Sequence, residues 1–89
     1  MDNMEFMKKC ENAAYRVLTC WAKYIKCYMV NGKKQFNLSA SHSWGTAQCD
    51  WSSDKWELFD ALKRVGAVNI SGKVKWNYVD VYFDMSKRL

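Results

Sequence analysis

The stretch NMEFMKKCENAAYRVLTCWAKYIKCYMV, residues 3–30, decides how the chain is read. With successive residues spaced at about 100°, Phe6, Cys10, Ala13, Ala14, Val17, Trp21, Tyr24, Ile25 and Tyr28 gather on one side. The opposite side collects Lys8, Asn12, Arg16, Thr19, Lys23 and Lys26. This pattern predicts one long amphipathic helix over residues 3–30, ended by the left-handed residue that Gly32 supplies after Asn31. The same Asn31-Gly32 pair opens a competing reading, in which Lys23–Val30 is a strand turning back into the next segment. Helical periodicity persists through Tyr28 and favours the helix.

Working outward, Lys34–Trp44 alternates, with Phe36, Leu38, Ala40, His42 and Trp44 on one side and Asn37, Ser39, Ser41 and Ser43 on the other. That is the signature of a half-buried antiparallel strand. Gly45 allows a turn into a short strand over Thr46–Trp51. Ser52 then caps a second helix, with Asp54 in its first turn and Trp51 and Trp56 flanking the cap. This helix runs to about Val65, buries Leu58, Phe59, Ala61, Leu62 and Val65, and ends at Gly66. A strand over Ala67–Ile70 is expected to turn through Ser71-Gly72 into a longer strand, Lys73–Asp84. That longer strand has apolar residues on both faces: Val74, Trp76 and Tyr78 on one, Val79, Val81 and Phe83 on the other. Either both faces are covered or a bulge near Tyr78 resets the register. Residues 85–89 are expected to fray.

The expected class is therefore α+β: a long N-terminal helix, two strands, a second helix and a C-terminal β-hairpin. The strands would form an antiparallel sheet with both helices packed on one face. Eighty-nine residues fit a single domain over 1–89. Glycine alone punctuates it, because proline is absent.

Composition narrows the function. Five Trp, five Tyr and four Phe exclude a disordered chain and supply more large rings than a small core needs. No apolar h-region follows the charged residues Asp2, Glu5, Lys8 and Lys9, and no run approaches the roughly 20 apolar residues of a membrane span. A cytoplasmic protein with reduced cysteines and no membrane association is expected. The net charge of +5 is segregated: residues 1–34 hold seven basic groups against three acids, residues 35–62 one against four, and residues 63–89 six against two.

No nucleotide-binding motif of the GxGxxG or GxxxxGK[ST] kind is present. His42 stands alone among apolar neighbours with no orienting group, so no catalytic residue is assigned and no enzyme is expected. Cys20, Cys27, His42 and Cys49 could be written as a Cys₃His zinc set, but they lack the close C-x₂-C pairs that such sites use. Packing as small apolar groups is the plainer reading; no metal and no cofactor is expected.

What remains is macromolecule binding. Lys9, Arg16 and Lys23, spaced by seven and flanked by Lys8 and Lys26, would make a basic ridge along the first helix. Lys73 and Lys75 extend it. Trp76, Tyr78 and Tyr82 alternate on the last strand beside those lysines, and Trp56 falls at the border of its helix's buried arc. Rings of these types anchor protein interfaces, and rings beside cations also stack bases. The reading favoured is a small non-enzymatic protein that occupies a protein partner stoichiometrically. By analogy of kind, the expectation is an inhibitor or regulator of a nucleic-acid-handling machine, of the phage or mobile-element anti-defence sort. The alternative is a direct nucleic-acid-binding domain using the basic helix face. An exposed apolar flank on that helix would also suit a homodimer.

Overall fold

The computed structural model describes residues 2–18, 25–30, 35–41, 55–75 and 78–86. Its elements follow the order α1 (Asn3–Val17), β1 (Lys26–Val30), β2 (Gln35–Ser41), α2 (Lys55–Arg64), β3 (Ala67–Val74) and β4 (Tyr78–Met85). The strands form one antiparallel sheet in the order β1-β2-β4-β3. The α+β class stands. Helix α1 lies over β1 and β2, α2 lies over β3, and the helices pack on each other.

The single helix over residues 3–30 is corrected. Asp2 caps the start of α1, its Oδ1 accepting the Glu5 N–H at 2.8 Å. The helix stops at Leu18, whose N–H donates to the Ala14 carbonyl at 2.7 Å. The chain returns as β1, paired with β2 from Lys26↔Ser39 to Val30↔Gln35. The competing strand reading fits Lys26–Val30, while Lys23, Tyr24 and the Asn31-Gly32 pair lie outside the described residues. Strand pairing satisfies the backbone of β1, and its Tyr28 and Val30 are types that prefer pleated structure.

Strand β2 behaves as its alternation predicts, with Phe36, Leu38 and Ala40 buried. Helix α2 buries Leu58, Phe59 and Leu62 and ends at Gly66, which adopts φ +110°. The strand expected over Thr46–Trp51, the Ser52 cap and the far end of the Lys34–Trp44 strand lie outside the described residues.

The C-terminal hairpin is also corrected. Ser71 and Gly72 lie inside β3, not in a turn, and the reversal falls after Val74, where the Lys75 N–H donates to the Tyr78 carbonyl at 2.8 Å. The two apolar faces read into one long strand belong to two strands: Val74 pairs with Val79, and Val79, Val81 and Phe83 all face the core. There is a bulge, but it sits between Val68 and Ser71 of β3 rather than near Tyr78. It moves the inward set from Ala67 to Ile70, Gly72 and Val74, so that a strand of broken alternation still presents one face. Asn69 makes the bulge by adopting φ 56°, and its Nδ2 donates to Asp84 Oδ2 at 3.0 Å. Left-handed backbone costs an ordinary L-residue about 1–2 kcal/mol. Asn69→Ala is therefore expected to cost about 1 kcal/mol by urea denaturation, while Asn69→Gly leaves the midpoint nearly unchanged. Of the tail expected to fray over 85–89, Met85 belongs to β4 and the Ser86 N–H donates to the Gly66 carbonyl at 2.7 Å, while 87–89 lie outside the described residues.

The core fills the space between the helices and the inner sheet face. Phe6 of α1 meets Phe36 of β2 edge-on at 5.0 Å and Phe83 of β4 at 6.0 Å, while Phe36 and Phe83 stack at 6.1 Å. The rings thereby tie α1 to the two central strands. The other side of the sheet carries no helix among the described residues.

Candidate functional site

That uncovered face follows directly from strand alternation. Because Phe36, Leu38 and Ala40 of β2 and Val79, Val81 and Phe83 of β4 point inward, their neighbours must point outward. The register then lays out rows across the sheet. One row runs Tyr28, Asn37, Tyr82, Ser71; the next runs Lys26, Ser39, Asp80, Lys73; beyond it Ser41 pairs with Tyr78. Tyr28 is 50 % exposed, Tyr78 38 % and Tyr82 36 %. Tyr28 and Tyr82 are two strand spacings apart, about 10 Å, with Asn37 between them.

Asn37 is the buried polar residue at the centre of this face, only 8 % exposed. Its Nδ2 donates to Asp80 Oδ1 at 2.8 Å and to the Val81 carbonyl at 3.1 Å, and its Oδ1 accepts the Ser39 hydroxyl at 2.9 Å. Each of these polar groups is engaged, so the floor beneath the tyrosines is rigid. Asp80 also stands opposite Lys73 across β3 and β4. Beside Tyr82 the face dips into a shallow depression lined by Val30, Gln35, Ser71 and Tyr82. Among the described strand residues two cations, Lys26 and Lys73, are balanced by two carboxylates, Asp80 and Asp84; Tyr, Ser, Asn and Gln make up most of the rest, with Val30 and Val68 at its margins.

The residues singled out from sequence divide into groups. Tyr78 and Tyr82 share the outer face as expected, Lys73 lies on it, and Lys75 is exposed just past β3. Tyr28, counted there as a buried helix residue, is instead the most exposed ring of the face. Lys26 belongs to the same face and not to a helix. Trp76 and Lys23 lie outside the described residues. Trp56 is 70 % exposed at the start of α2, with Phe59 edge-on at 5.8 Å and the Lys55 ammonium 5.3 Å over its ring; Trp51, the other ring expected to flank the cap, lies outside the described residues.

The basic ridge is broken up. Lys8, Lys9 and Arg16 are exposed on α1, a helix of 15 residues and so about 22 Å long, which also carries Glu5 and Glu11. Lys8 joins Lys26 in a groove between α1 and β1, whereas Arg16 lines a separate cleft with Glu57, Asp60 and Arg64 of α2. Three cations against two acids make a weak track for a phosphate backbone.

Of the four groups written as a zinc set, only Cys27 is described. It is buried in the same core as Cys10, and Cys20, His42 and Cys49 lie outside the described residues. The neighbouring Cys27 side chain, with burial next, pushes the Cys10 thiol far above its ordinary range. The Cys27 N–H faces the open edge of β1 and donates to Glu11 Oε2 at 3.0 Å. Glu11 thereby covers part of an edge strand that would otherwise invite further pairing. Among the described residues no helix is long and apolar enough to cross a membrane. Compared with known proteins, the chain matches no protein family, no curated protein and no solved structure.

Proposed function

We propose that this is a non-enzymatic binding protein that occupies a protein partner through the outer sheet face bearing Tyr28, Tyr78 and Tyr82. The observation that carries the reading is the composition and charge of that face. Tyrosines supply large amphipathic contacts at low entropic cost, and Ser, Asn and Gln supply adaptable hydrogen bonds, the combination found in antibody paratopes. Among the described strand residues two lysines stand against two aspartates, a balance that suits a mixed protein surface better than a polyanion, whose binding draws on uncompensated cations. The Asn37 network holds the floor fixed, so little ordering is needed on docking.

The test uses three baits: the wild-type protein, Tyr28→Ala/Tyr82→Ala, and Lys9→Glu/Arg16→Glu. A partner should be retained by wild type and by the α1 variant and lost by the face variant, whose affinity for the purified partner should fall about 100-fold. In parallel, labelled single-stranded DNA, duplex DNA and RNA are titrated at low and moderate salt. Tight binding that weakens steeply with salt and disappears in Lys9→Glu/Arg16→Glu would replace this reading with nucleic-acid binding by α1.

A further inference from the structure

The face just described leaves unused a pair of groups on the other side of the sheet. Cys10 and Cys27 are both buried in one core and lie on different elements that meet here, since Glu11, the residue after Cys10, accepts the Cys27 N–H at 3.0 Å. They differ in access. Cys10 is wholly enclosed in the core, whereas Cys27 contributes to the wall of an open groove with Met4, Met7, Lys8, Glu11 and Lys26. A small reagent can therefore reach one sulfur directly and the other only through it. The two lysines at the groove would favour an anionic reagent.

We propose that Cys10 and Cys27 are a modification site, a dithiol that a low-molecular-weight disulfide such as glutathione disulfide converts to an internal disulfide joining α1 to β1. In the first step Cys27, as thiolate, attacks one sulfur of the reagent. A mixed disulfide forms on Cys27, the reagent's S–S bond breaks and one thiolate departs. With Cys27 capped, its sulfur no longer holds the Cys10 proton, which passes to the departed thiolate; the Cys10 thiolate then attacks the Cys27 sulfur and expels the second thiolate. Two protein thiols are oxidised and one external disulfide is reduced to two thiols. The ordering follows from access: Cys27 opens on the groove and meets the reagent first, whereas Cys10 is enclosed and serves as the resolving group. The product closes a loop from residue 10 to residue 27 and fixes the helix against the strand edge that Glu11 covers.

The sequence provides a direct readout. Cleavage after lysine and arginine places the four cysteines on separate peptides, 10–16, 17–23, 27–33 and 35–55. The folded wild-type protein is incubated with glutathione disulfide, remaining thiols are alkylated, and the digest is analysed by mass. The expected product is peptide 10–16 linked to 27–33, released by dithiothreitol, with Tm raised on the order of 10 °C before reduction. In Cys27→Ala, peptide 10–16 should appear alkylated with no mixed disulfide, because the entry point is gone. Free, alkylated Cys10 and Cys27 after treatment of the wild-type protein would overturn the proposal. So would predominant linkage to 17–23 or 35–55, or a 10–16 to 27–33 product that forms only in denaturant.

Discussion

Gly72→Ala is expected to lower the free energy of unfolding by about 3 kcal/mol or more, although it adds a single methyl group in a strand. Gly72 holds φ +133°, a conformation that L side chains rarely adopt. A Cβ there would lie 2.6 Å from the Val81 Cα and collide with the Asp80 carbonyl oxygen, both in the backbone of the neighbouring strand. Backbone strain of this kind costs about 1–3 kcal/mol. The contact adds more, because a strand backbone cannot rotate aside as a side chain can. Relief would require β3 to move off β4, weakening the adjacent Lys73↔Asp80 and Val74↔Val79 pairs. Urea denaturation measures the loss, with Ser71→Ala, an exposed neighbour, as a control that should stay within about 0.5 kcal/mol of wild type. A Gly72→Ala midpoint equal to the control's would mean that β3 and β4 do not approach this closely at Gly72.

The same glycine shows why the hairpin is hard to read from sequence. Ser71-Gly72 resembles a turn because glycine's usual role there is a reversal, and nothing local distinguishes that role from close approach of a second strand. Only the partner strand, nine residues on, makes the difference. The bulge is hidden for a related reason. Ala67 and Ile70 are three apart, which would put them on opposite faces of a plain strand, and Asn69 resolves it through one left-handed residue. Residues 26–30 mislead in another way. Tyr28 is a large ring on a solvent-facing position, so it reads as part of an apolar helical stripe that continues from Phe6 and Cys10. A periodicity argument assumes that large rings are buried, and an exposed ring on an uncovered sheet face violates the assumption. By contrast, Phe36, Leu38 and Ala40, Gly66 and the α2 core residues were legible, since each obeys a local rule that packing leaves intact. The Cys10–Cys27 contact was out of reach once a single helix was assumed, because 17 residues of helix would hold the two about 25 Å apart. The return of β1 along α1 brings them together.

Phe6→Ala is expected to destabilise the protein by about 3–5 kcal/mol, a loss comparable to the whole stability of a small domain. Phe6 is fully buried and is where the separate elements meet. Its ring stands edge-on to Phe36 and Phe83, and a Cβ placed on Gly66, at the turn from α2 into β3, would meet the same ring at 3.6 Å. Truncation removes the apolar area of a full ring and two edge-to-face contacts, each worth about 0.5–1.5 kcal/mol beyond burial. The cavity cannot close easily, because its walls are strands β2 and β4, held in register, and a turn pinned by the Ser86 N–H to the Gly66 carbonyl. Phe6→Leu keeps most of the volume and should cost about half as much, which separates the cavity's contribution from any loss of helix propensity. Chemical denaturation with coincident fluorescence and circular dichroism measures both variants. Equal midpoints for Phe6→Ala and wild type would place this ring at the surface and would dismantle the helix-on-sheet packing that leaves the tyrosine face uncovered.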